Sequence, residues 1–516
     1  MANRNLFRSI FGKLIPSADA VNEAGGRAYA LAPKAALAQC AATGCLNGVY
    51  YATAETQLDQ VLTLAAGVEP AFVARTAVYS RERAFMKDMP ALLLAHLSVR
   101  EPDLFERVFP RVVTDGRMLR TFVQILRSGA VGRKSLGSRP KRLVREWLAS
   151  RDGDQVFRAS VGQSPSIADI VKMVHPRPEG DERRALYGYL LGRAHDAAAL
   201  PPTVRAYEAF KAGASTIVPD VPHLMLTALP LGHREWREIA LHASWQTVRM
   251  NLATFARHGV FEEPGLAEVI AAKLRDREAI RRARVFPYQL LAARMMADGL
   301  PLCVKDALAE ALEHATENVP AVQGKIYVCP DTSGSMGSPV TGHRTGATSS
   351  VRCIDVAALV TAALLRKNPE AEVLPFAEGV KRARLDPRDT IATNAAALAG
   401  LGGGGTNCSA PLAELNRRGA RGDLVVYVSD NQSWIDVHAG RGTATMEEWN
   451  RFQRRNPHAK LVNIDIQPYV TSQTAPRADI LNVGGFSDQV FEVVSEFQRG
   501  GHDGAYWIRT IEEVTV

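Results

Sequence analysis

An all-helical array followed by a parallel α/β domain is the fold class this sequence predicts, and three observations predict it. From about residue 70 to 315, apolar side chains recur at three- and four-residue spacings, with short breaks and almost nothing strand-like. After "HATENVP" the pattern changes to short, nearly continuous apolar runs that alternate with helical ones. A chain of 516 residues also exceeds the size at which one core keeps growing, so two or more folding units are required.

The helical part rests on "EPAFVARTAVYSRER", "MPALLLAHLSV", "DLFERVFPRVV", "GRMLRTFVQILRSG", "PKRLVREWLAS", "SIADIVKMVH" and "WREIALHASWQTVRMNLATFARHG", each amphipathic at helical spacing. Breaks such as "HPRPEGD" and "ALPPT" fall where Pro and Gly end helices. Short amphipathic helices in succession suit a helical-repeat solenoid, here without a fixed sequence period. In the second part "KIYVCPD", "AEVLPFAE", "DLVVYVSDN" and "AKLVNIDIQ" read as strands, and "IDVAALVTAALLRKN", "APLAELNRRG" and "SDQVFEVVSEFQRG" as helices. Strands that are apolar nearly throughout belong to a doubly wound parallel sheet covered on both faces. The expected division is an N-terminal segment 1–21, a helical part 22–320 and an α/β domain 321–516. Within the first segment Leu6, Phe7, Ile10, Phe11 and Leu14 share one helical face, which is expected to dock on the protein's own core.

The 46% hydrophobic and 22% charged content is that of a soluble globular protein. No apolar run approaches the ~18 residues of a membrane span, so no membrane partner is expected. Arg8 and Lys13 interrupt the stretch that a secretory signal would need. The cysteines at 40, 45, 303, 329, 353 and 408 include no C-x-x-C pair, which points to a reduced, cytoplasmic protein. Charge divides unevenly: residues 1–320 carry a net +9 and residues 321–516 a net −1. A polyanion is therefore expected to meet the helical part.

"YVCPDTSGSMGS", residues 327 to 338, places a carboxylate and several hydroxyls at a predicted strand end. In parallel α/β sheets, ligands bind beyond the carboxyl ends of the strands, where the winding changes direction. Asp331, Ser333 and Ser335 alternate, so one extended turn can aim three oxygens at a point. "LGGGGTNCS" offers Thr406 and "VVYVSDNQS" offers Asp430 at the same edge. Five oxygens, two of them on carboxylates and none joined by thiolate or imidazole, are what Mg²⁺ prefers. The glycines 402 to 405 let the backbone take positive φ beside the ion, and Ser409 ahead of Pro411 is expected to cap the next helix. The long polar stretch "GSPVTGHRTGATSSVRC" is expected to control access.

Residues 116–145 hold nine Lys and Arg and no acid. Charge runs are usually solvated faces, but a helix pair of this charge attracts phosphates strongly. "GAVGRKS" lacks the adjacent Gly-Lys and the preceding parallel strand of a nucleotide phosphate loop.

The Asp331, Ser333, Ser335, Thr406 and Asp430 set resembles the metal-ion-dependent adhesion site of von Willebrand factor A domains. There the two serines and the threonine bind the ion directly and the aspartates often bind through water. The pairing of such a domain with an all-helical part resembles the Ro autoantigen family, whose helical part is called the TROVE domain. The strings "NEAGGRAYAL", "GVYYA", "GRKSLGSRPKRLVREWL", "DIVKMVHPRP", "RARVFPYQLL", "GGGTNCSAPL", "VSDNQSW" and "NVGGFSDQVFEVV" carry the resemblance in order from about residue 22 to 498.

That resemblance implies a monomeric ring of HEAT-like repeats closed by the A domain. It also implies binding of small noncoding Y RNA on the basic surface and of single-stranded ends of misfolded RNA. Bacterial relatives imply a role in RNA quality control, processing or decay, with an exoribonuclease tethered through RNA. On the matching strings, Lys134, Arg139, Lys141, Arg142, Arg145 and Arg158 are expected phosphate contacts, with Lys172 and His175 nearby. His175, before Pro176, also has a structural reading as a helix-end imidazole that bonds free carbonyls. The segment from Phe157 to Ser166 is shorter than in animal members, so their contacts there need not transfer.

The resulting expectation is a noncatalytic RNA-binding scaffold. The alternative is an adaptor that grips a protein carboxylate through its metal. A metal-dependent nuclease fits poorly, because such sites gather several carboxylates around two ions.

Overall fold

The computed structural model describes the chain except residues 1–14, 45, 284, 286, 318, 320, 344–350, 436–441, 486–487 and 499–505. The expected N-terminal helical face and the centre of the polar access loop lie outside the described residues.

The chain divides into two compact units. The helical one comprises Gln60–Val285, Gln289–Ala315 and Ile511–Val516. Its helices form where the sequence placed them, including Pro70–Glu82, Asp88–Arg100, Pro102–Val112, Gly116–Ser128, Ser138–Ala149 and Ile167–Val174. Each buries one stripe and leaves its polar face in water. The Phe105, Phe109 and Phe122 rings meet at centroid separations of 5.6 to 5.7 Å, and Trp147 closes their neighbourhood by donating Nε1–H to the Val113 carbonyl at 2.9 Å. The long stretch "WREIALHASWQTVRMNLATFARHG" is three helices rather than one: His233–His242, Trp245–Met250 and Leu252–Arg257. Ala243 is extended, and Ser244 caps the second helix by accepting from Thr247 N–H, so a local side-chain bond outcompetes continuation.

The other unit comprises the described residues of Met1–Asp59 with Phe286–Tyr288 and Thr316–Thr510. Its strands, in chain order, are β1 (Ala20–Val21), β2 (Arg27–Ala30), β3 (Ile326–Pro330), β4 (Glu372–Val373), β5 (Leu424–Ser429), β6 (Lys460–Asp465), β7 (Thr471–Ser472) and β8 (Ile480–Gly484). Five of them form a parallel sheet in the order β4-β3-β5-β6-β8. Every residue of β3 and β5 is buried, as strands covered on both faces require. The core joins Tyr327, Cys329, Val425, Tyr427, Trp449, Phe452, Leu461 and Ile480.

Three features depart from the sequence reading. "AEVLPFAE" yields only the two-residue β4, because Pro375 has no N–H to give; Leu374 and Phe376 still donate to Val328 and Pro330 at 2.8 and 3.0 Å. A helix at Ala444–Arg455 crosses between β5 and β6, and another forms at Ile391–Ala399. Finally, residues 22–59 pack with the α/β unit rather than with the helices. The hairpin of β1 and β2 pairs with β7, and the Pro33–Thr43 helix reaches β8 through Gln39 Nε2–H, which donates to the Asn482 carbonyl at 3.2 Å. Such non-local pairing leaves no periodic trace in sequence.

Candidate metal centre and nucleic-acid interface

The winding of the sheet reverses between β3 and β5, since β3 has β4 on one side and β5 on the other. Asp331 follows β3 and Asp430 follows β5, so both carboxylates emerge at this switch point. Asp331 N–H donates to the Val428 carbonyl at 2.9 Å, which fixes one strand end against the other. The turn then holds Asp331 tightly: its Oδ1 accepts from Ser333 N–H at 2.8 Å and its Oδ2 from the Ser429 hydroxyl at 2.6 Å. Ser333 Oγ and Ser335 Oγ lie 3.3 Å apart.

The glycine loop joins the cage through its backbone. Gly334 N–H donates to the Gly404 carbonyl and Gly403 N–H to the Thr332 carbonyl, both at 2.8 Å. Gly403 and Gly404 have φ of 120° and 97°, conformations in which a Cβ would be strained. Thr406 follows at once, its carbonyl accepting from Trp434 and Ile435 N–H at 3.2 Å beyond Asp430. Lys381 ties the loop further, with Nζ 2.6 Å from the Leu401 carbonyl and 2.8 Å from that of Gly403. Ser409 corrects an expectation: it stands at the N-cap of Ala410–Arg417, but its hydroxyl bonds Asn407 Oδ1 at 2.8 Å instead of the helix.

Asp331, Ser333, Ser335, Thr406 and Asp430 are all buried. Burial, and then the charge of Asp331, pushes the Asp430 carboxyl up to about 7, and burial raises Asp331 as well. Two carboxylates this close, with hydroxyls as their main company, are a site whose charge asks for a cation. The donor set fits a hard divalent ion, and no group of three or more His, Cys, Asp or Glu side chains among the described residues offers a softer one. Asp465, at the end of β6, is a neighbour the sequence reading missed. Burial and Asp430 raise it to about 8, and its Oδ1 has no hydrogen-bond partner among the described residues. Its sequence signal was its place at the end of the next parallel strand.

Arg139, Lys141, Arg142 and Arg145 lie on the helix Ser138–Ala149, Arg158 on Gly153–Ala159 and Lys172 on Ile167–Val174 with His175 just past its end, while Lys134 sits in the loop before Ser138. They fall into two groups. Arg139 meets Asp103 at 2.7 Å and Glu106 at 3.7 Å, Arg142 meets Glu106 at 2.6 Å and Glu146 at 2.7 Å, and Arg158 meets Asp220 at 2.8 Å. The acid-free run in sequence is thus partly neutralised by the preceding helix. Lys134 and Lys172 are exposed and Lys141 is half-buried, and none of the three has an ion pair among the described residues. Arg145 is exposed and its Nε–H donates to the Val174 carbonyl. His175 ends its helix in the left-handed region at φ 49°, and its backbone N–H, rather than its imidazole, bonds the Val171 carbonyl at 2.9 Å.

Residues 325–498 match the family model described as the Ro60 vWA domain. A curated relative, RNA-binding protein RO60 of Deinococcus radiodurans, is 26% identical over 93% of this chain and 95% of its own length. Along nearly its whole length the chain is similar to a Ro protein. RNA-binding protein RO60 of Caenorhabditis elegans is 24% identical over 48% of this chain and 39% of its own length. The fold agrees with the crystal structure of the Deinococcus radiodurans RO (RSR) protein at a TM-score of 0.61, with 21% identity, 91% of this chain and all of that one covered. The five candidate oxygen-donor positions lie inside the Ro60 vWA match, and the eight basic positions lie outside it.

Proposed function

We propose that this chain, similar to Ro proteins, binds RNA through the basic helical face and does not cut it. The observation that carries the reading is likeness to a protein named as RNA-binding along nearly the whole chain, helical unit included. Supporting it, Lys134, Lys141 and Lys172 offer cations without carboxylate partners among the described residues, on two packed helices and the loop before one of them. Arg139, Arg142 and Arg158 hold only exposed ion pairs, typically worth ~0–1 kcal/mol, which a phosphate can displace. Arg145 and His175 complete the proposed set.

The ligands proposed are a structured noncoding RNA of the Y type and the single-stranded ends of misfolded RNAs, in cytoplasmic RNA quality control, with an exoribonuclease recruited through the RNA. In the α/β unit, Asp331, Ser333, Ser335, Thr406 and Asp430 would hold Mg²⁺ or a similar divalent ion. When bound, the ion supplies a Lewis-acidic position for an incoming oxygen ligand. The chain's own residues bury all five positions and hold Asp331 through Ser333 N–H and the Ser429 hydroxyl.

Purification from the native cells at moderate salt, followed by sequencing of the retained RNA, tests this. Enrichment of one structured small RNA, lost when Lys134 and Lys172 are both changed to Glu, is expected. Background RNA alone in both preparations would contradict the reading.

A further inference from the structure

Three adjacent strands end in one buried polar row. Ser429, the last residue of β5, stands in register with Asp465, the last residue of β6, and Asp331, the residue after β3, comes next to it on the other side. The serine therefore lies between two carboxylates with a single hydroxyl proton to give. It gives that proton to Asp331 Oδ2 at 2.6 Å. Asn431 sets the direction of the gift. At φ 58° it occupies the left-handed region, which asparagine enters more readily than most residues, and its backbone N–H turns back to Ser429 Oγ at 3.0 Å. Its side-chain Nδ2–H donates to Asp465 Oδ2 at 3.3 Å. Asn431 thus fills one lone pair of the serine and supplies Asp465 with a donor of its own, which leaves the serine proton to Asp331.

We propose that Ser429 is a positioning residue of the cation site: its hydroxyl fixes the orientation of the Asp331 carboxylate, and Asn431 fixes that hydroxyl. The inference rests on the metal reading given above. Ser333 N–H holds Asp331 Oδ1 at 2.8 Å while Ser429 holds Oδ2, so the carboxylate cannot turn about its Cβ–Cγ bond without breaking both bonds. The Ser429 bond has the short length of a hydroxyl donating to an ionised carboxylate. A carboxylate has about four lone-pair sites, so each Asp331 oxygen keeps capacity for a cation or for water bound to one. Ser429 itself has its proton committed to Asp331 and a lone pair to Asn431, so it acts through Asp331. Without the hydroxyl, a buried carboxylate oxygen loses its donor and one of the two bonds that hold the group in place.

The test is calorimetric Mg²⁺ titration of the full chain, of Ser429→Ala and of Ser429→Thr, with thermal unfolding of each in EDTA to establish that it folds. Alanine removes the hydroxyl, and threonine keeps it on a side chain that strands favour. We expect Mg²⁺ affinity to fall about three- to tenfold in Ser429→Ala, the worth of one hydrogen bond, and to stay within about twofold of wild type in Ser429→Thr. Should Ser429→Ala not fold, Ser429→Cys takes its place, since a thiol fills the space but donates only weakly, and the same fall is expected. Wild-type or tighter affinity in the variant without the hydroxyl overturns the role of Ser429 and leaves the metal site standing, whatever the unfolding temperature. Equal loss in that variant and in Ser429→Thr assigns the position to packing and overturns the role too. Absence of any Mg²⁺ binding in the wild-type protein overturns the metal reading and this inference with it.

Discussion

Gly26 shows how little freedom the neighbourhood of the cage has. A Cβ built on it would stand 2.1 Å from the Ser433 carbonyl oxygen, three residues beyond Asp430. The same turn sends Asn22 Nδ2–H to that carbonyl at 2.7 Å and Glu23 N–H to the Gln432 amide oxygen at 2.9 Å. Gly26→Ala should therefore cost about 1–3 kcal/mol, read as a lower unfolding midpoint in urea; an unchanged midpoint would mean that the hairpin is not held against the loop. The carboxylates permit a sharper test. Asp430→Asn removes one of two buried like charges, so stability in EDTA should not fall, while the gain in unfolding temperature on adding Mg²⁺ should vanish. A retained Mg²⁺ gain would exclude Asp430 from the cation site. The five candidate positions could be picked out because hydroxyls and acids at the ends of successive parallel strands draw attention, and the structure buries all five. Asp465 could not, since it ends an otherwise ordinary strand.

At the scale of elements, helices with a clean apolar stripe formed where their spacing placed them, and the misses have physical causes. Ala444–Arg455 is so polar that only Met446, Trp449 and Phe452 mark its buried face, yet a parallel β5–β6 pair cannot be joined without a crossover. The basic helices are a subtler case. Sequence shows no acid in residues 116–145, but Asp103 and Glu106 on the preceding helix face Arg139 and Arg142 across the packing interface. Glu106→Gln would take one carboxylate partner from each arginine, leaving Asp103 on Arg139 and Glu146 on Arg142, so RNA affinity should rise and the salt dependence of binding steepen by up to about one phosphate contact. An unchanged or weaker affinity would indicate that these arginines face no RNA. The aromatic interior beneath them sets the framework: Phe122→Ala should cost about 3–5 kcal/mol in thermal or urea unfolding, and a loss below about 1 kcal/mol would contradict its assignment to the core.

For the whole molecule, the sequence divides its charge as it divides its folds, with the positive excess in residues 1–320 and a nearly neutral remainder. The fold class and the helical-to-α/β order were readable from periodicity alone. The assignment of residues 22–59 was not, because a short hairpin and one helix carry no sign of which distant sheet they will join. The proposed functions divide in the same way: phosphate neutralisation is assigned to one unit and cation binding to the other. Asp331→Ala should accordingly abolish Mg²⁺ binding and leave RNA binding within about twofold. The measurement that bears most directly on the central claim is the affinity of wild-type protein and of the Lys134→Glu/Lys172→Glu variant for a structured small RNA across a range of salt. The account predicts a steep, linear decline of log affinity with log salt in the wild type, and in the variant weaker binding with a slope shallower by about one to two. Identical slopes and affinities would contradict it and move RNA, if bound at all, away from this helical face.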